Sequence, residues 1–330
     1  MTLLTWAKLP RSTRKIFNLA TSARDPHEAF ASALRLSTER RVGVAPRRPV
    51  SPHSEWFDDI KHGRLGLIEI ALTAGANPNV LNESGVTVLH LAIAARKLAL
   101  VELLLEYGAG LEQRNHRGNT ALHIPLHDGS PIDTGMQLIA LMLEAGADPN
   151  APGFEGRLPL CRAIARDNGQ DVRRAALEVA RLLLDFGAST TRDDCVPLHH
   201  ARTVTSVEWL LSNGAQLDAV EPLKRVGRSD YGEVTPLWRA VYSWDLNLVQ
   251  AFLHAGADVN ARDSRIGFTP LHVALARIHR TQEPTANQVA VVEALLNHGA
   301  DRNPTAYDGT DLTSLDSHGF LSKGKTAVDP

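Results

Sequence analysis

The residues of this chain best suited to chemistry stand at Cys195-Val196-Pro197-Leu198-His199-His200, where one thiol and two imidazoles fall within six positions. An imidazole next to a thiol can take its proton, and the thiolate is the form that attacks a substrate or holds a metal. The wider sequence does not extend this pattern. It has no H-E-x-x-H, no phosphate-cradling G-x-x-x-x-G-K-[ST], no C-x-x-C and no G-x-S-x-G. Its other cysteine, Cys161, is expected to form no pair with Cys195. The expectation is a chain with no catalytic residue, no metal ligand and no cofactor.

A second grouping is suited to recognition rather than catalysis. Aromatic residues make up only 5% of the chain, yet Tyr231, Trp238, Tyr242, Trp244 and Phe252 crowd together with Arg239 among them. Trp, Tyr and Arg dominate interface hot spots because they bury large area with few rotors and keep a polar handle. Tyr231, Trp238, Arg239, Tyr242 and Trp244 are the expected partner-binding residues, with Trp244 and Arg239 exposed. Phe252 suits the core of a following helix, and Trp238 has the competing reading of filling space between repeats.

These residues are positioned by a repeat. A Gly-Ala step recurs at Gly75, Gly108, Gly146, Gly187, Gly214, Gly256 and Gly299, at spacings of 33, 38, 41, 27, 42 and 43 residues. An opening motif recurs in register with it: Thr87-Val88-Leu89-His90, Thr120-Ala121-Leu122-His123, Leu158-Pro159-Leu160-Cys161, Val196-Pro197-Leu198-His199, Thr235-Pro236-Leu237-Trp238 and Thr269-Pro270-Leu271-His272. A unit this short cannot bury its own apolar face and must stack on neighbours. The hydroxyl ahead of each helix suits the free first-turn amides, and Pro at the first helical position loses no hydrogen bond. Leu271, Ala274 and Leu275 share one face of the first helix, and Val291, Val292, Leu295 and Leu296 one face of the second. Gly299 provides the left-handed backbone that ends a helix.

Opening motif, paired helices and Gly-Ala closure together resemble the ankyrin repeat over roughly residues 53–315. The resemblance implies an all-α solenoid of stacked helix-turn-helix units, seven repeats plus a C-terminal half-repeat. It implies that His90, His123, His199 and His272 make structural hydrogen bonds, that first helices and turn tips line a concave binding face, and that the protein binds other proteins rather than catalysing a reaction.

Departures from the repeat are more specific. The first repeat, about 53–82, lacks the opening motif, as a capping unit would. Extra residues fall at Asp128–Gly135, Asp167–Arg174, Glu221–Val234 and Arg280–Gln288. They read equally as a binding edge and as tolerated lengthening. The fifth repeat is short, and its first helix is expected to have about two turns.

Residues 1–52 differ in kind. Residues 1–50 hold ten Lys or Arg and three Asp or Glu, for +7, which leaves −9 for the rest of a chain of net charge −2. Three readings compete: a basic extension with one or two short helices and a linker covering the first repeat, a mitochondrial targeting segment, and a ligase-recruiting element, since Leu9-Pro10 with Ile16-Phe17 and Leu19 is faintly similar to the start of an F-box. The expected domains are therefore 1–52, a repeat domain over 53–317 and a disordered tail over 318–330. Two unpaired cysteines suit a reducing compartment, so the cytoplasm is expected, with mitochondrion and nucleus as alternatives. No 18-residue apolar run exists, so no membrane partner is expected. The acidic repeat body argues against nucleic acid. The expected form is a monomeric scaffold that binds another protein.

Overall fold

The structure is a computed structural model of the chain. It describes residues 57, 64–126, 132–167, 173–191, 195–222, 232–279 and 283–302, and beyond them 305–306, 309, 311–316 and 321. Residues 1–52, nearly all of the tail and most of the extra segments lie outside these. The described chain falls into two compact units, Met1–Glu155 and Gly156–Pro330.

In the first unit the elements are α1 (Leu65–Thr73), α2 (Val88–Ala94), α3 (Leu98–Glu106), a 3-10 turn at Ala121–His123, and α4 (Ile132–Glu144). Thr87 starts α2 by accepting from the His90 amide at 3.1 Å, and its hydroxyl also meets His90 Nδ1 at 2.6 Å. The corresponding helix at Ala121 stops after one 3-10 turn. Pro125 has no N–H to return to the Ala121 carbonyl, so only the shorter bond from Ile124 at 3.2 Å forms.

The second unit contains α5 (Pro159–Ala165), α6 (Arg173–Asp185), a 3-10 turn at Pro197–His200, α7 (Val204–Ser212), strands β1 (Glu221–Pro222) and β2 (Glu233–Val234), α8 (Pro236–Ser243), α9 (Leu246–His254), α10 (Pro270–Ile278), α11 (Ala286–Asn297) and α12 (Leu312–Leu315). First helices pack on first helices, as α8 on α10, and second on second, as α7 on α9 and α9 on α11. Leu271, Ala274, Leu275, Val291, Val292 and Leu295 are buried, as their spacing predicts. Each large one is worth roughly 1.5–3 kcal/mol relative to exposure. The only strands among the described residues are the antiparallel pair β1 and β2, with Glu221 opposite Val234.

The expected two-turn helix in the short repeat is corrected to a single 3-10 turn. Ala201 is already extended, and Thr203 begins α7 with a reciprocal cap, accepting from the Ser206 amide at 3.1 Å. The segment between Pro197 and Thr203 has no room for more.

Turns between successive helix pairs carry a polar ladder. Asn79 accepts from the Gly110 amide at 2.7 Å, Glu112 from Asp148 at 2.9 Å, Asp218 from Asp258 at 3.2 Å, and Asn260 from Asp301 at 2.8 Å. In each case the acceptor is the fifth residue after a closing glycine, counting that glycine as first, and the donor is the third residue of the next such turn. Gly256 and Gly299 hold φ of 87° and 85°, left-handed backbone that a Cβ would strain. No helix among the described residues is long and apolar enough to cross a membrane.

Candidate functional site

Trp238 stands where other opening motifs carry His, and it is fully buried at 0% exposure. Its indole N–H donates to the Phe268 carbonyl at 3.1 Å. His90 Nε2 makes the equivalent bond to the Asn119 carbonyl at 3.2 Å. His199 Nε2 reaches the Ala219 carbonyl at 3.1 Å, and Cys161 Sγ lies 3.5 Å from the Cys195 carbonyl. In these four motifs the side chain at this position is a strut that ties one opening motif to backbone further along, and Trp238 is its largest form; in the last motif, His272 Nε2 makes no such bond among the described residues. It therefore supports a surface from beneath instead of contacting a partner directly.

That surface lies on α8 and α10. Tyr242 stacks on Trp238 with ring centroids 5.6 Å apart and planes 9° from parallel. The Arg277 guanidinium, on α10, sits 4.3 Å over the Tyr242 ring and 5.7 Å over the Trp244 ring. Tyr242, Trp244 and Arg277 are half-buried. A cation over aromatic faces is held by the ring quadrupole, by about 0.5–2 kcal/mol depending on solvation. Trp244 is fixed from two directions, with left-handed backbone at φ 60° ending α8 and a carbonyl accepting from Asn287 Nδ2 at 2.7 Å. Among the described residues Arg277 has no ion-pair partner, and its buried Nε has no hydrogen-bond acceptor. Phe252 is buried in α9.

Of the five residues expected to bind a partner, Tyr242 and Trp244 share this ledge and Trp238 lies under it. Tyr231 lies outside the described residues. Arg239, expected to be exposed, is half-buried on α8; burial lowers its guanidinium pKa, while the Glu221 carboxylate pulls the other way. Sequence reasoning missed Arg277, which one opposing helix brings over the aromatic pair from 33 residues downstream of Trp244. Its signal was the helix register, which sets Arg277 seven positions after Pro270, one position beyond the place of Tyr242 after Pro236 on α8.

The thiol and imidazoles gather elsewhere in the second unit. Cys161 and Cys195, expected to form no pair, are instead joined as a disulfide. Their separation of 34 residues is about one repeat, which puts Cys161, the last residue of one opening motif, opposite Cys195, the residue just ahead of the next. His200 Nε2 lies 3.5 Å from Cys195 Sγ and 3.6 Å from Glu221 Oε2, and the same Glu221 oxygen accepts from the Val196 amide at 3.1 Å. Although burial raises its pKa, the Glu221 carboxyl is held below its ordinary value overall by His200, His199 and that amide. Burial pushes His199 down to about 4, against the pull of Glu221. His199 Nδ1 has no partner, because Val196 replaces the Thr that clasps this nitrogen at 2.9 Å in Thr120–His123 and at 2.8 Å in Thr269–His272. Glu221 on the same His200 nitrogen as Cys195 does not form a relay, which needs the carboxylate on the far ring nitrogen.

Comparison with known proteins agrees with this architecture. Residues 60–124 match the family described as ankyrin repeats (many copies), and residues 233–264 and 266–307 match the ankyrin repeat. The human ASB11 ankyrin repeat domain superposes with TM-score 0.51 at 21% identity, over 74% of this chain and 98% of that one. The ankyrin repeat domain of Bcl-3, a unique member of the IkappaB protein family, gives 0.53 at 22%, over 73% and 97%. The matched segments carry the His90 and Trp238 struts, the closing glycines Gly75, Gly108, Gly256 and Gly299 and the Asn79 and Asn260 rungs of the turn ladder, and the chain carries ankyrin repeats in an ankyrin-repeat fold.

Proposed function

We propose that this protein is a non-catalytic scaffold that binds a partner protein through the first-helix face of the second unit, centred on Tyr242, Trp244 and Arg277. Ankyrin repeats generally mediate protein–protein interaction. The observation that carries the location is the Arg277 guanidinium held over two aromatic rings with no carboxylate of its own among the described residues. Such a ledge offers a fixed cation and flat apolar area, complementary to a carboxylate flanked by an apolar side chain. Its mechanism is preorganisation: the rings rest on buried Trp238, so little rotamer freedom is lost on association.

The test is affinity capture with the full chain as bait, beside Trp244→Ala and Arg277→Ala. Both variants should lose a partner that the wild type retains, by tenfold or more in captured amount, with nearly unchanged thermal midpoints. Retention of every partner by both variants, with lowered midpoints, would locate binding elsewhere and make the ledge structural.

A second reading rests on the +7 charge of residues 1–50 against the −9 of the rest. There, residues 1–52 form a separate basic segment that targets the protein or recruits a ligase, ahead of a repeat domain over 53–317. A fluorescent fusion lacking residues 1–52 that keeps its distribution and its co-purifying proteins would count against it. We place the protein in the cytoplasm as a monomer, checked by the same fusion and by sedimentation.

A further inference from the structure

We propose that Cys161, Cys195 and His200, with Glu221 beside them, form a binding site for one thiophilic divalent cation of the zinc class in the reduced chain. Cys161 Sγ, Cys195 Sγ and His200 Nε2 all lie within 4.8 Å of one another, and all three residues are buried. Glu221 Oε2 lies 3.6 Å from that nitrogen, beside the three donors, with side-chain exposures of 8% for His200 and 7% for Glu221. Two thiolates and an imidazole are donor types that zinc sites use, with a fourth position left to a further ligand.

The spacing of the shell suits an ion. A tetrahedral site with metal–sulfur distances of about 2.3 Å and metal–nitrogen of about 2.0–2.1 Å has a sulfur–nitrogen edge of about 3.5 Å. The Cys195–His200 edge is 3.5 Å. Behind the sulfurs, the Cα atoms of Cys161 and Cys195 stand 6.9 Å apart, just past the span of roughly 4.4–6.8 Å that directly bonded cysteines favour. That backbone separation leaves room for the sulfurs to part around a cation.

The residues around the shell have also given up the repeat's own bonding. Leu158 and Val196 replace the Thr that caps α2, α8 and α10, and neither caps its helix through a side chain. These two adjacent motifs lack the hydroxyl clasp, and they are the two that supply the sulfurs. A bound ion would tie them together in its place. It would also offset the buried charge of Glu221, which Arg239 faces from α8. Once a dithiol reductant has opened the Cys161–Cys195 disulfide by thiol–disulfide exchange, being itself oxidised to a disulfide, binding would release the two thiol protons and leave the sulfurs as thiolates.

Full-length protein, reduced and stripped with a chelator, is to be titrated with Co²⁺ and then with Zn²⁺. The expected result is one equivalent bound, with thiolate-to-cobalt charge-transfer and tetrahedral d–d bands that Zn²⁺ removes. Cys161→Ser, Cys195→Ser and His200→Ala should each lose both the bands and the stoichiometric uptake, and Zn²⁺ should raise the thermal midpoint of the wild type only. Glu221→Gln should weaken uptake by about 10–100-fold. Folding of each variant is checked by circular dichroism, and if one serine variant does not fold, the other carries the test. Absence of the bands in the reduced wild type would overturn the proposal, as would uptake undiminished in the folded Cys or His variants. A chain whose sulfurs only interconvert between thiol and disulfide, without taking up metal after reduction, overturns it equally.

Discussion

At His199 a single missing hydroxyl has two measurable consequences. Its Nε2–H goes to the Ala219 carbonyl, so Nδ1 is a bare acceptor with Val196 where a Thr would donate. Val196→Thr should supply that donor and the missing helix cap together, raising stability by about 1 kcal/mol in a denaturant titration. The second consequence concerns acid. His199 has a pKa near 4 in the fold against 6.5 ordinarily, so the unfolded chain binds the extra proton more readily. Stability from this group is complete above about pH 6.5 and falls as the pH drops from there towards about 4, by on the order of 3 kcal/mol in all. His200, Glu221 and Arg239 are the charged neighbours that modulate it. His90, also lowered by burial, acts in the same direction. Glu221 is lowered too, so its contribution is lost only below the ordinary carboxylate range, in a separate window. Urea midpoints at pH 7.5, 6 and 5 should therefore decline in the wild type and decline less in His199→Gln.

Among elements, the opening motif shows how one bond is kept by different side chains. Trp238→Ala removes both the N–H to Phe268 and the platform under Tyr242, and should cost about 3–5 kcal/mol. Trp238→His can keep the first and lose the second, so its denaturant midpoint should fall between those of Trp238→Ala and the wild type. Glycines separate in the same manner. Gly256 ends α9 at φ 87°, where Ala would be strained by about 1–2 kcal/mol; Gly66, inside α1 with open space around it, should gain about 0.5–1 kcal/mol on replacement by Ala. The helix pairs, their buried faces and the left-handed closures were legible because they depend on spacing and on residue types with one strong backbone preference. The 3-10 turns at Ala121 and Pro197 were less so, since there a proline two residues on, or the next cap arriving early, overrides the motif. The site was legible only in part. Tyr242 and Trp244 stand close in sequence, whereas Arg277 and the Cys161–Cys195–His200–Glu221 group are brought together by stacking of successive repeats within the second unit, and the sequence shows such neighbours only at long separation.

For the molecule as a whole, each unit holds together through contacts between near neighbours in the chain, first helix to first helix and second to second. Stability in such arrays is a sum of local and nearest-neighbour contributions. The turn ladder makes the neighbour contribution insensitive to sequence: Asn79, Glu112, Asp218 and Asn260 all accept the same backbone N–H from the following turn. The donor belongs to the main chain, so it is present whatever residue occupies its place. A newly duplicated repeat would therefore arrive already able to join the one before it and the one after it, and chains of this kind can lengthen by copying without first evolving a matched interface. A second copy of residues 258–300 placed after Ala300 should fold, with helical content raised in proportion and a thermal midpoint no lower than that of the parent.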